Sequence, residues 1–179
     1  MGTLTWLLLN EVQLADVQEV LGQYRGKPLS NMLRYVGFQR FGFGALVKEK
    51  NRKGEIVDVV QWAIVVNCPW VLTGPNAFEL TSSHFEPERK DDHAKPFYAD
   101  LGRHEIIVES ISVQLSGKIE IWFGDGHHLS ISPEQTQEMS ERNPEDFGPE
   151  HWRIMTPTDE SGGTGVLRYS GLEWWDVDP

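Results

Sequence analysis

The sequence predicts an α+β, mostly β protein: antiparallel sheet of about eight strands, with one short N-terminal helix. Three stretches carry that expectation. Between Ile106 and Ser132, apolar and polar residues alternate in three runs separated by glycine-bearing turns, the period of half-buried strands. Val57 to Leu72 is apolar on both faces, which suits a central strand covered from both sides. Near the start, Leu14, Val17, Val20 and Leu21 fall close to helical spacing instead. At 179 residues the chain is expected to form a single domain, 1–179, with its core between about 30 and 171.

Taken in order, Leu4 to Leu9 is a short apolar run, strand or helix start. It is too short to span a membrane and lacks the basic flank of a signal peptide, the first Lys or Arg being Arg25. The helix follows, with Asp16 and Glu19 as an acidic first turn and Gly22 or Gly26 as its end. Met32 to Leu46 reads as one strand, bulged at a glycine, and Lys48 to Gly54 as a charged hairpin tip. Pro69 cannot donate to a ladder, so pairing must break just after Cys68. A short strand reopens at Trp70, Thr73-Gly74-Pro75-Asn76 turns the chain, and Phe78 and Leu80 begin another strand. Residues 82–102 read as a long polar loop, and 133–150 as an acidic loop or irregular helix. Strands are then expected at His151 to Met155 and Val166 to Tyr169.

In the central meander, parity sets the register. Two-residue turns would mix polar and apolar faces, so both turns are expected to carry a glycine bulge. That arrangement sets Leu115 against Ile119, Val113 against Ile121, Ile111 against Phe123, and Phe123 against Leu129. The opposite face then holds Ser112, Gln114, Glu120, Ser130 and, among the serines, Trp122. A ring of that size is expected to be covered by another part of the chain, the alternative being a contact platform.

The net charge of −11 is unevenly placed. Eleven acidic and three basic residues among 134–179 leave −8, whereas 25–53 holds eight basic residues and one acidic. This balance argues against a nucleic-acid partner and allows an acidic surface that steers a basic protein. The lone cysteine, Cys68, rules out an internal disulfide framework and fits a reducing, cytoplasmic setting. On its apolar strand end it reads as a structural thiol.

No stretch carries a motif of catalysis or cofactor binding. Gly162-Gly163-Thr164-Gly165 lacks the lysine of a phosphate loop. His127 and His128 are adjacent and should point to opposite faces, and no H-x-x-x-H or C-x-x-C spacing exists. Neither a metal nor a cofactor is expected.

Trp62-Ala63 with Cys68-Pro69-Trp70, the hairpin Gly117 to Gly126 (GKIEIWFGDG) and Glu150-His151-Trp152-Arg153-Ile154 together resemble small, largely uncharacterised bacterial proteins. Some of those look like immunity proteins, which neutralise partner toxins. The resemblance runs from about Leu33 to Gly171 and rests on packing signatures, so it implies a binding role and no catalytic residue. The expected function is a non-enzymatic binding protein that meets a basic partner, with Glu141, Glu145 and Asp146 as steering charges and Trp174 and Trp175 as aromatic anchors. Those tryptophans also suit self-association. The competing expectation is a hydrolase-type enzyme, its site built from histidines and acids around 82–104 and 125–128.

Overall fold

The computed structural model describes residues 9–35, 38–50, 53–82, 106–133, 151–157, 164–169 and 174–177, the last two segments by their backbone alone. Helix α1 spans Glu11–Gly22. It is followed by β1 (Leu29–Tyr35), β2 (Phe38–Lys50), β3 (Ile56–Val66), β4 (Trp70–Gly74), β5 (Phe78–Thr81), β6 (Val108–Val113), β7 (Ile119–Phe123), β8 (His128–Ile131), β9 (Trp152–Pro157), β10 (Thr164–Tyr169) and β11 (Trp174–Val177). The protein is mostly β, with one α-helix among the described residues. The strands form two antiparallel sheets, one ordered β1-β2-β3-β9-β10-β11 and the other β5-β4-β8-β7-β6.

Eleven strands stand among the described residues where the sequence suggested about eight. The stretch read as one strand from Met32 is a hairpin, because Tyr35 pairs with Phe38 and turns the chain back at once. The chain's last stretch adds β11, paired antiparallel with β10. The helix also starts earlier than Asp16. Asn10 accepts from the Gln13 backbone N–H while the Gln13 side chain accepts from the Asn10 N–H, so a capping box sets the N-terminus ahead of the acidic turn.

Pro69 does more than interrupt a strand. β3 ends at Val66 in the first sheet, and Trp70 opens β4 in the second. The missing donor thus falls where the chain changes layers. Asn67 N–H donates to the His151 carbonyl at 2.8 Å, and Trp70 meets Phe41 edge-on at 5.1 Å. Cys68 is buried, as expected. Inward residues of both sheets and of α1, among them Phe41, Phe43, Ile64, Leu72, Ile121, Leu129, Trp152, Val17 and Leu21, form one core. Tyr24, just past α1, is wholly buried. Its hydroxyl contacts the Ala63 and Met155 carbonyls at 2.9 and 2.7 Å, and burial pushes its ionisation far above the ordinary tyrosine range.

The meander keeps the expected faces, but its partners are shifted by two residues. Val113 pairs with Ile119, Ile111 with Ile121, and Ile121 with Leu129. Gln114 N–H donates to the Lys118 carbonyl and Phe123 N–H to that of His127, which leaves three-residue loops at 115–117 and 124–126. Gly117 and Gly126 close them at φ +77° and +91°. A three-residue hairpin loop wants a left-handed residue in its third position. The glycines, not the apolar parity alone, therefore fix the register, and Leu115 is left exposed in the turn.

β6 is the last strand of its sheet, and its outer side is closed by the N-terminal segment. Leu9 N–H donates to the Leu115 carbonyl, Gly26 N–H to that of Val108, Val108 N–H to that of Lys27, and Leu29 N–H to that of Ile106. Between these, the Gln18 amide donates to the Ile111 carbonyl and accepts from Val113 N–H, each at 3.0 Å. One glutamine thus stands in for a neighbouring strand and blocks an edge that would otherwise template pairing. Gln18→Ala is expected to lower stability by about 1–3 kcal/mol and to speed hydrogen exchange at the Val113 amide. Unchanged exchange would mean that water replaces the side chain at no cost.

His151 is buried at the start of β9, and burial holds its pKa below the ordinary 6.5. The unfolded chain therefore binds this proton at a higher pH than the folded one. Stability is fully present above about pH 6.5 and falls as the solution is acidified toward the folded-state value. His151→Gln is expected to flatten the melting temperature between pH 7.5 and 5. A wild-type melting temperature that rises over that acid interval would contradict the assignment.

Candidate functional site

The outward face of the five-stranded sheet is built from alternate residues of its strands. Register sets Ser110 opposite Trp122 and Trp122 opposite His128, with Thr73 beyond. The next row runs Ser112, Glu120, Ser130 and Val71. Small hydroxyl residues surround one large ring. Trp122 is not covered as the sequence suggested: it is 51% exposed. Its serine neighbours are too short to bury it.

The ring is nonetheless held. Trp122 and His128, directly opposite on β7 and β8, stack with centroids 3.8 Å apart and planes 17° from parallel. His128 Nε2 lies 2.5 Å from Glu120 Oε2. An ionised carboxylate can only accept, so His128 Nε2 carries a proton and donates. The second oxygen of Glu120 accepts from the Ser130 hydroxyl at 3.3 Å and pairs with Lys118 Nζ. Burial raises the Glu120 pKa, but the hydrogen bonds from Lys118 and His128 outweigh it and hold the carboxyl below its ordinary range. The sequence of contacts runs from Lys118 through Glu120 and His128 to the indole. Each contact fixes the next.

A β-bulge sits beside this ring. Val108 pairs with Phe123 and Ser110 with Trp122, so Glu109 and Ser110 together oppose one residue. Both are exposed, while Val108 and Ile111 on either side are buried. Bulges redirect a side chain in this way. Here Glu109 is brought to the outer surface next to Trp122. The parity reading missed this feature, although two polar residues between Val108 and Ile111 were its signal.

His127 and His128 diverge, as adjacency on a strand requires. His127 Nδ1 lies 2.8 Å from Asp125 Oδ2, and its backbone N–H donates to Asp125 Oδ1 at 3.1 Å. Its ring packs edge-on to Phe78 and over Gly74, where a Cβ would sit 2.5 Å from Cδ2. Asp125 and His127 therefore lock the β7–β8 turn onto β4. Among the described residues no three His, Cys, Asp or Glu side chains gather as metal ligands do, and no helix is long and apolar enough to cross a membrane.

Glu141, Glu145 and Asp146 lie outside the described residues, as does the 82–104 loop beyond Ser82. The backbone at Trp174 and Trp175 pairs with Tyr169 and Arg168 in β11, at an edge of the six-stranded sheet; their side chains lie outside the description. The chain matches no family model, no curated protein and no solved structure.

Proposed function

We propose that the chain is a non-enzymatic binding protein whose recognition surface is the outer face of β6, β7 and β8, with Trp122 as its anchor. One observation carries this reading: a half-exposed tryptophan is fixed in place by a stacked histidine that is itself pinned by a carboxylate. Exposed apolar rings held rigid lose little entropy on binding, and tryptophans at the centre of interfaces supply a large share of affinity. A catalytic reading of the same groups is less well supported. Both oxygens of Glu120 are engaged, and the Ser130 hydroxyl donates to Glu120, not to the histidine that would have to activate it.

The net charge of −11 favours a basic partner, and the resemblance to immunity proteins gives that partner a concrete form, a cationic toxin. The steering charges named from the sequence, Glu141, Glu145 and Asp146, and the anchors Trp174 and Trp175 remain part of the proposal. The test is to capture proteins from the chain's own source and measure association kinetics with whatever is retained. A rate that falls steeply with added salt, and flattens when the three acids are reversed in charge, is expected. A salt-independent rate would remove the basic partner from the account.

A further inference from the structure

We infer that the slot between Trp122 and Glu109 receives an arginine side chain of the basic partner, an inference that rests on the reading above. One face of the indole is taken by His128. The other looks toward β6, where the register row holds Ser110, a residue too short to fill the space beside the ring. The bulge adds Glu109 to this same position. Among the described residues no basic side chain pairs with Glu109, whereas Glu120, two residues from Trp122 on β7, already holds Lys118 and His128.

The exposed ring face and the available carboxylate together define the occupant. A guanidinium is planar and weakly hydrated, stacks on an indole, and offers a fork of donors to a carboxylate. A lysine ammonium can reach the carboxylate or sit over a ring as a point charge, but it lacks the flat fork that stacks on an indole and binds a carboxylate at once. Charges of both signs lie nearby. Helix α1, which packs along β6, carries Glu11, Asp16 and Glu19 and no basic residue. Arg25 and Lys27 flank Gly26, whose N–H donates to the Val108 carbonyl, and Lys27 is turned onto Trp62. Elsewhere the chain pairs a cation with an indole itself, Lys27 Nζ lying 4.1 Å from the Trp62 ring centroid.

The experiment is a titration of the ¹⁵N-labelled protein with triarginine amide and with trilysine amide at constant ionic strength, following the Trp122 indole N–H. Trp122→Phe identifies that signal among the seven tryptophans. A saturable shift with triarginine is expected, at least threefold weaker with trilysine and at least threefold weaker again in Glu109→Gln, which is exposed and leaves the fold intact. Equal response to both peptides, or a response unchanged in Glu109→Gln, would overturn the inference. So would a shift on dilution alone, which would make a second copy the occupant, or a silent indole. If the indole is silent while Trp122→Ala still loses the captured partner, the arginine fails and the recognition surface stands.

Discussion

Trp152→Ala is expected to be the most damaging single substitution in the described fold, lowering stability by about 3–5 kcal/mol. The ring is wholly buried on β9, opposite Val66 of β3, and its Nε1–H donates to the Gly117 carbonyl at 2.7 Å. Gly117 closes the β6–β7 loop, so this side chain ties the middle of the six-stranded sheet to the far end of the other. Its removal opens a cavity and leaves a buried carbonyl without its donor. A domain of this size has about 5–15 kcal/mol in total, so the variant should populate unfolded chain measurably at 37 °C. Trp152→Phe separates the two contributions by keeping most of the volume and losing only the hydrogen bond, at about 1–3 kcal/mol. Chemical denaturation of both variants against wild type checks the ordering. A Phe variant as unstable as the Ala variant would place the whole effect in the hydrogen bond.

Trp122→Ala is expected to behave in the opposite way. It should leave the melting temperature close to wild type, because the ring is 51% exposed and large changes in stability come from buried groups. It should weaken partner binding about 30-fold or more, the range of a central tryptophan anchor, through faster dissociation with little change in association rate. Glu120→Ala is expected to act by a different route. It frees His128, the stack loses its support, and the anchor must be ordered anew at each encounter. An affinity loss smaller than that of Trp122→Ala, without loss of fold, is expected from that variant. Surface kinetics and thermal melts on the same preparations separate these effects.

The sequence made most of the sheet legible, because period-two alternation is a direct consequence of one face being wet. Ile119, Ile121 and Phe123 could be placed inward and Ser112, Glu120 and Ser130 outward on that basis alone, and the structure agrees. Partner identity was harder. Parity is indifferent to a shift of two, and the tie is broken by where Gly117 and Gly126 must stand in their loops. The split of residues 29–50 into two strands was hidden for a similar reason, since aromatics and glycines alternate on both sides of the turn. The pairing of Gln18 with β6 lies ninety-odd residues away in sequence, and no local pattern announces it.

The candidate site was half legible. Trp122 was visible as an anomaly among serines. The stack with His128 depends on a cross-strand register that parity alone could not supply, and Glu109 reaches the surface only through the bulge.

The measurement that tests the central claim most directly is site-specific photocrosslinking in the chain's own source. A crosslinking residue at Ser112, on the Trp122 face, is compared with one at Leu46, exposed on the other sheet. A discrete adduct from position 112, absent from position 46 and lost when Trp122→Ala is added, is the expected result. An adduct from position 46 alone, or one from 112 that survives Trp122→Ala, would contradict the assignment of the recognition surface.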